Sequence, residues 1–158
     1  MSPQVHELKA LASDYCELVD CLREADSRWL YAVATLLPRL HAAVAALNLP
    51  EPRNGHHPTT DLDARFELYS QIRNMLGDRD SYWMEFDVAD DEQNMSGSLA
   101  DDLTDIYCEL KNGLKYIDGN PDKAVERWHK GYHLHWGQHL VDAERHLYEL
   151  RARNQLVI

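Results

Sequence analysis

The last stretch of the chain, Asn120 to Arg153, does most to limit the fold. It opens on Asn120 and Pro121, a helix start signal, and meets no further proline. Val125, Trp128, Tyr132, Trp136, His139, Ala143, His146, Leu147 and Leu150 recur at helical spacing on one broad face, with His135 and Asp142 at its edge. The stretch therefore reads as one long helix. It also carries five of the chain's nine histidines, together with Trp128 and Trp136. Histidine is a middling helix former, and a row of such rings on a half-buried surface needs hydrogen-bond partners or a ligand.

Four shorter apolar runs precede it. Ser2 and Pro3 start the first, whose stripe is Val5, Leu8, Ala12, Tyr15, Val19 and Leu22. Glu7, Asp14, Glu17, Asp20 and Glu24 fall mostly off that stripe and read as a solvated face. The second run starts near Asp26 or Ser27 and uses Leu30, Val33, Leu37, Leu40, Val44 and Leu47; Pro38 inside it predicts a kink near Thr35 to Leu37, or two short helices. Leu49 to Thr59 is a loop by its proline and glycine content, and His56 and His57 in it read as a mobile surface pair. Thr60 and Asp63 form a capping box for the third helix, which Gly77 ends. Asp78 to Gly97 is irregular: Tyr82, Trp83 and Phe86 are expected to pin its first half to the bundle while Asp87 to Gly97 stays mobile. Ser98 and Asp101 cap the fourth helix, with Leu99, Leu103, Ile106, Leu110, Leu114 and Ile117 as its stripe and Gly119 as its end. No alternating strand pattern occurs, so the fold class is all-α, an antiparallel bundle of about five helices forming one domain over residues 1–158.

Charge narrows the partners. Sixteen basic against 27 acidic residues give a net charge of -11, which repels nucleic acid and anionic membrane. A basic protein partner or a cation suits such a surface, and a homo-oligomer is compatible with it. The amino terminus has no cationic segment followed by an apolar run, and no stretch approaches the length of a membrane span. A cytoplasmic protein is expected. Cys16, Cys21 and Cys108 have neither an even framework nor zinc-type spacing, and read as buried small apolar side chains in a reducing compartment.

His135, His139, Asp142 and His146 follow one another at steps of four, three and four, which sets them in one ridge of the long helix. Imidazole and carboxylate at such spacing suit zinc, iron or manganese. The plainer reading is that these histidines donate to carboxylates and carbonyls of neighbouring helices and form a polar layer with no cofactor. Gly131 and Gly137 each cost roughly 1 kcal/mol relative to alanine inside a helix, which points to a close approach of backbone. Gly137 lies almost opposite the core stripe, where the Ser81 to Phe86 patch or a partner subunit would pack.

Two segments, LADDLTDIYCELK at Leu99 to Lys111 and HWGQHLVDAERHL at His135 to Leu147, resemble the signature segments of a bacterial all-helical family, a domain of unknown function. The resemblance implies a helical fold and a cytoplasmic bacterial protein, and supplies no activity. It marks Asp101, Asp102 and Asp105 on the fourth helix, and His135, Trp136, Gly137 and His139 on the fifth, as residues to consider together. The tight Gly-Asn-Pro turn makes these helices antiparallel neighbours. Asp102 and the His135 to His139 pair each lie about 25 Å from that turn, so a buried carboxylate and histidine cluster is expected between them.

Two functions follow. The first is a non-enzymatic protein-interaction module working through the acidic surface and the Asp78 to Gly97 segment. The second is a metal-binding bundle or metal-dependent enzyme holding a divalent metal through His135, His139 and Asp102, Asp142 or His146. A nucleophile elbow and a phosphate-cradling glycine loop are both absent.

Overall fold

The structure is a computed structural model and describes residues 1–52, 57, 61–85 and 94–158. Its helices are α1 (Pro3–Asp20), α2 (Trp29–Ala45), α3 (Leu62–Leu76), α4 (Leu99–Leu114), α5 (Pro121–Gly131) and α6 (Gly137–Ala152). A π turn, Tyr132–Trp136, joins α5 to α6 without a break, so the bundle consists of five rods, as the periodicity predicts. The fold is predominantly all-α.

The caps explain where the rods begin. Ser2 Oγ accepts from Val5 N at 3.3 Å, Ser98 Oγ from Asp101 N at 3.2 Å, and Asn120 Oδ1 from Lys123 N at 3.2 Å, each satisfying an otherwise orphaned donor. Three expectations change. Asp61 rather than Thr60 caps α3, its carboxylate accepting from the amides of Asp63 and Ala64; Thr60 itself lies outside the described residues. Asp26 Oδ1 accepts from Arg28 N in a local turn, which moves the start of α2 to Trp29. The helix α2 then passes through Pro38 as one element, not two, with Thr35 Oγ1 donating to Tyr31 O nearby. Gly77 ends α3 at a φ of 56°, a conformation that favours glycine.

The irregular segment holds a missed antiparallel hairpin. Strands β1 (Ser81–Glu85) and β2 (Asn94–Ser98) pair with Tyr82 opposite Gly97 and Trp83 opposite Ser96. No tight Asn-Gly type of turn announces it, since eight intervening residues separate the strands. Asn94 to Gly97 is therefore strand rather than mobile chain, while Phe86 and residues 87–93 lie outside the described residues. Tyr82 is buried as expected, but Trp83 is 77% exposed and pins nothing. Buried Asp80 fastens the hairpin to α4: its carboxylate accepts from Ser98 Oγ at 2.9 Å and from Ala100 N at 2.7 Å, and its carbonyl accepts from Leu99 N at 2.9 Å. That aspartate occupies the positive end of the helix dipole.

The helix α4 is the centre of the bundle and packs against α1, α3, α5 and α6. Leu8, Leu11, Leu30, Leu37, Leu40, Leu103, Ile106 and Leu110 are fully buried around it, and each such side chain stabilises the fold by about 2 kcal/mol relative to exposure. Tyr15 Oη donates to Leu103 O at 2.6 Å inside that layer. The helix α4 ends at Leu114, before the Gly119 expected to end it, and Gly113 is required by packing: a Cβ there would run into the Trp128 indole, whose Nε1 donates to Leu110 O at 3.2 Å. Cys16 and Cys108 are buried, whereas Cys21, one residue past the end of α1, is exposed against expectation.

Candidate functional site

The seam between α4 and the α5–α6 rod carries charge instead of hydrocarbon. One turn of α4 separates each of Asp101, Asp105 and Glu109 from the next, with Asp102 beside Asp101, so four carboxylates line one flank. Asp102, Asp105 and Glu109 are buried. Opposite stand His135, in the π turn, and His139, in the first turn of α6, their rings edge to face at 5.0 Å.

Each ring turns its Nδ1 to a carboxylate of its own. His139 Nδ1 lies 2.7 Å from Asp102 Oδ1, and His135 Nδ1 lies 3.1 Å from Glu109 Oε1. An ionised carboxylate only accepts, so each Nδ1 carries the proton and donates it. Both Nε2 atoms then converge on one oxygen: Asp105 Oδ2 is 2.9 Å from His139 Nε2 and 3.7 Å from His135 Nε2. With neutral rings these are three acceptors facing one another, an arrangement that requires a cation in their midst or a proton on each ring.

The surrounding residues hold this geometry. Arg65 of α3 grips Asp105 through Nε to Oδ1 at 2.7 Å and Nη2 to Oδ2 at 2.9 Å, and its Nη2 also bonds Asp101. The Tyr82 hydroxyl reaches across the hairpin to Asp102 Oδ2; its ring lies over Gly97, where a Cβ would collide with it. His57 closes the far end, its Nε2 at 2.7 Å from both oxygens of Glu109. A Cβ on Gly131 would run into Glu109 and crowd the His57 ring, so the close approach expected at this glycine is the one that lets the pair sit against α5. The half-buried His57 is thus no mobile surface residue; His56 lies outside the described residues.

Electrostatics follow from these contacts. Burial alone would raise Asp105, but Arg65 and then His135 and His139 hold it far below the usual carboxylate range. Burial raises Asp102, and its bonds from His139 and Tyr82 only moderate the rise. Asp105 and Glu109 raise His135 to about 9. Burial opposes the charged form of His139, yet the bonds to Asp102 and Asp105 outweigh it and raise the ring to about 10. Among the described residues, four carboxylates against the permanent cation Arg65 leave an excess of negative charge that protonated rings or a bound cation must offset.

The residues singled out in sequence thus divide. Asp101, Asp102, Asp105, His135 and His139 come together; Asp105, His135 and His139 offer one ligand atom each within 4.8 Å of one another, as do Asp101, Asp102 and His139. Trp136 is core, its Nε1 donating to Trp128 O at 3.0 Å. Asp142 turns to Gln138 Nε2 at 3.1 Å, and His146 donates Nε2 to Arg79 O at 2.6 Å while its ring packs on Tyr82. Glu126 and His129 have the Glu-x-x-His spacing of bundle iron sites, but His129 Nε2 bonds Pro50 O away from the seam. Glu109, Arg65 and His57 were not anticipated. Glu109 was legible, since Asp102, Asp105 and Glu109 fall at steps of three and four; Arg65 and His57 come from other parts of the chain and leave no local signal.

The family comparison agrees with the segments that carry the resemblance. The sequence model of a domain of unknown function, DUF5063, matches residues 1–153. The chain belongs to that family. Its fold is similar to the crystal structure of protein BF1032 from Bacteroides fragilis, with a TM-score of 0.74 over 94% of this chain and 92% of that one at 20% identity. That likeness concerns the fold alone. No curated protein matches the chain. Among the described residues, no helix of this DUF5063 member is long and apolar enough to cross a membrane.

Proposed function

We propose that this DUF5063 protein binds a divalent first-row transition metal through Asp105 Oδ2, His135 Nε2 and His139 Nε2. The observation that carries the reading is the convergence of both Nε2 atoms on one carboxylate oxygen while each Nδ1 is turned away to a second carboxylate. Metal-bound histidines are held this way, the outer carboxylate fixing the tautomer and raising the basicity of the ligating nitrogen. Neighbouring ligands about 2.1 Å from a metal stand roughly 3.0–3.5 Å apart, which the 2.9 Å Asp105–His139 separation approaches and the 3.7 Å Asp105–His135 separation slightly exceeds. Two histidines and one carboxylate leave coordination positions open, a pattern suited to iron, manganese or zinc in a reactive rather than a closed structural site. The His135 and Asp101 side chains are each 40% exposed, so solvent and a small substrate reach the open side. Bound there, the metal supplies Lewis acidity and an acidified water.

Elemental analysis of untagged protein tests the site. Iron, manganese or zinc at about one ion per chain is expected, with Asp105→Asn and His139→Ala each lowering it at least about tenfold. Metal far below one ion per chain, combined with no uptake of added Co(II), ends the reading.

The protein-interaction module is the second reading, and the specific observation in its favour is the exposed Trp83 indole on β1, with Phe66 and Leu62 exposed on α3. Proteins retained by the wild type but not by Trp83→Ser at low salt support it; identical retention by both sets it aside.

A further inference from the structure

The long rod changes phase where the histidines begin. In α5 the buried positions are Ala124, Trp128 and Gly131. An uninterrupted α-helix, at about 100° per residue, continues that stripe through His135, His139, Asp142 and His146. The structure instead fills the apolar core from Trp136, Leu140, Ala143 and Leu147, each a single position later, and from Leu150, while Asp142 and His146 stay buried beside them. The uniform-helix expectation already includes Trp136, Ala143, Leu147 and Leu150 in its broad face, but it sets His139 there and leaves out Leu140, and so misses the shift.

The shift has a local cause. The π turn Tyr132–Trp136 accommodates one residue more than an α turn, and the Gly137 amide donates to Tyr132 O, five residues back. One added residue rotates everything after it by about 100° relative to α5. That rotation takes His135 and His139 off the core axis and onto the flank that meets Asp102, Asp105 and Glu109, while Trp136 and Leu140 replace them inside. Gly137 makes the turn sterically possible: a Cβ there would collide with the Tyr132 carbonyl oxygen and press on the Tyr132 ring. The atoms nearest to that Cβ belong to its own rod, not to the hairpin.

We infer that Gly137 is a positioning residue, holding open a one-residue π insertion that turns the His135–His139 pair out of the core and toward the carboxylates of α4. The steric part stands on its own; the consequence for ligand binding rests on the metal reading above.

A double-variant cycle separates the two. Leu134, 40% exposed, lies within the π turn, and its deletion returns the rod to α-helix while leaving both halves in phase. Gly137→Ala in the full-length chain is expected to lower Tm by about 5 °C or more. In the folded variant it also weakens the visible Co(II) absorption titration about tenfold or more. In the chain lacking Leu134, the Gly137 amide bonds four residues back, alanine fits as in any helix interior, and the same substitution leaves Tm and the Co(II) spectrum unchanged. An equal Tm penalty in both chains, no penalty in either, or failure of the deletion chain to fold overturns the inference. A cycle that behaves as expected in Tm, in a wild type that takes up no Co(II), overturns the metal reading and leaves the π insertion standing.

Discussion

On one flank α4 buries Leu103, Ile106 and Leu110 in a layer shared with α1 and α2, where Tyr15 and its bond to Leu103 O supply the polar contact; on the other it buries Asp102, Asp105 and Glu109 against His135 and His139. Both flanks bury side chains of α4, but only the first is built for stability. Desolvating several charges costs several kcal/mol per ion before their mutual attraction is counted, and apolar side chains of similar volume often hold a fold equally well. A carboxylate and histidine seam along the middle of a bundle that has ample leucine thus adds little to stability, in keeping with the metal site proposed above. The difference teaches that the stabilising core and the proposed site lie on opposite sides of the same helix, and substitutions should separate them.

The largest effect belongs to the apolar flank. Leu40 is fully buried, and Leu40→Ala should cost about 3 kcal/mol in urea denaturation while leaving metal content per folded chain unchanged. Loss of metal along with stability would break the separation. Next comes Arg65→Met, which strips the buried Asp105 of its permanent counter-ion and should cost about 2 kcal/mol in metal-free protein. A cost below about 0.5 kcal/mol means that water already screens the seam. Asp102→Ala follows at about 1.5 kcal/mol, since it leaves His139 Nδ1 and the Tyr82 hydroxyl without their acceptor. Unchanged stability there would show that the cluster is not formed in solution.

The same two flanks were unequally legible in the sequence. Apolar stripes at steps of three and four located the rods, because burying such a stripe is the main reason a helix forms. Of the α3 stripe Leu62, Phe66, Tyr69, Ile72 and Leu76, however, only Ile72 and Leu76 are buried, while Leu62 and Phe66 face solvent. The hairpin was hidden because its strands are short and joined by a long connection, and because its anchor, Asp80, works through helix capping rather than an apolar pattern. Of the seam, His135 and His139 were legible from spacing, Asp101, Asp102 and Asp105 from the resemblance, and the distances of Asp102 and of the histidines to the α4–α5 turn placed the two groups side by side. Arg65 and His57 were not, since only the tertiary fold brings α3 and the segment before it to these carboxylates. The phase slip at Tyr132–Trp136 was written in the sequence as a change from Trp128 and Gly131 to Trp136 and Leu140, a shift that a constant angle per residue smooths away.

The smallest expected effect sharpens the contrast from outside the seam. On the exposed edge of α4, Asp20 accepts from Lys111 Nζ at 2.9 Å and from the Tyr107 hydroxyl, with both charged side chains more than two-fifths exposed. Slight burial works to raise the Asp20 carboxyl, but the bonds from Tyr107 and Lys111 prevail and lower it below its ordinary 3.8. A carboxyl lowered in the folded state binds protons more weakly there than in the unfolded chain. Its stabilisation is therefore complete above the unfolded value and disappears as pH falls through the folded one. Comparison of wild type with Asp20→Asn should give a difference of about 0.5 kcal/mol near pH 6 that fades as pH falls below the ordinary carboxylate range. Added salt should shrink it further, because this pair faces water, while leaving the Arg65→Met cost in the seam largely intact. If salt erodes both differences equally, the four carboxylates of the seam are solvated like Asp20, and the case for a largely buried, cation-seeking centre between α4 and the long rod fails with them.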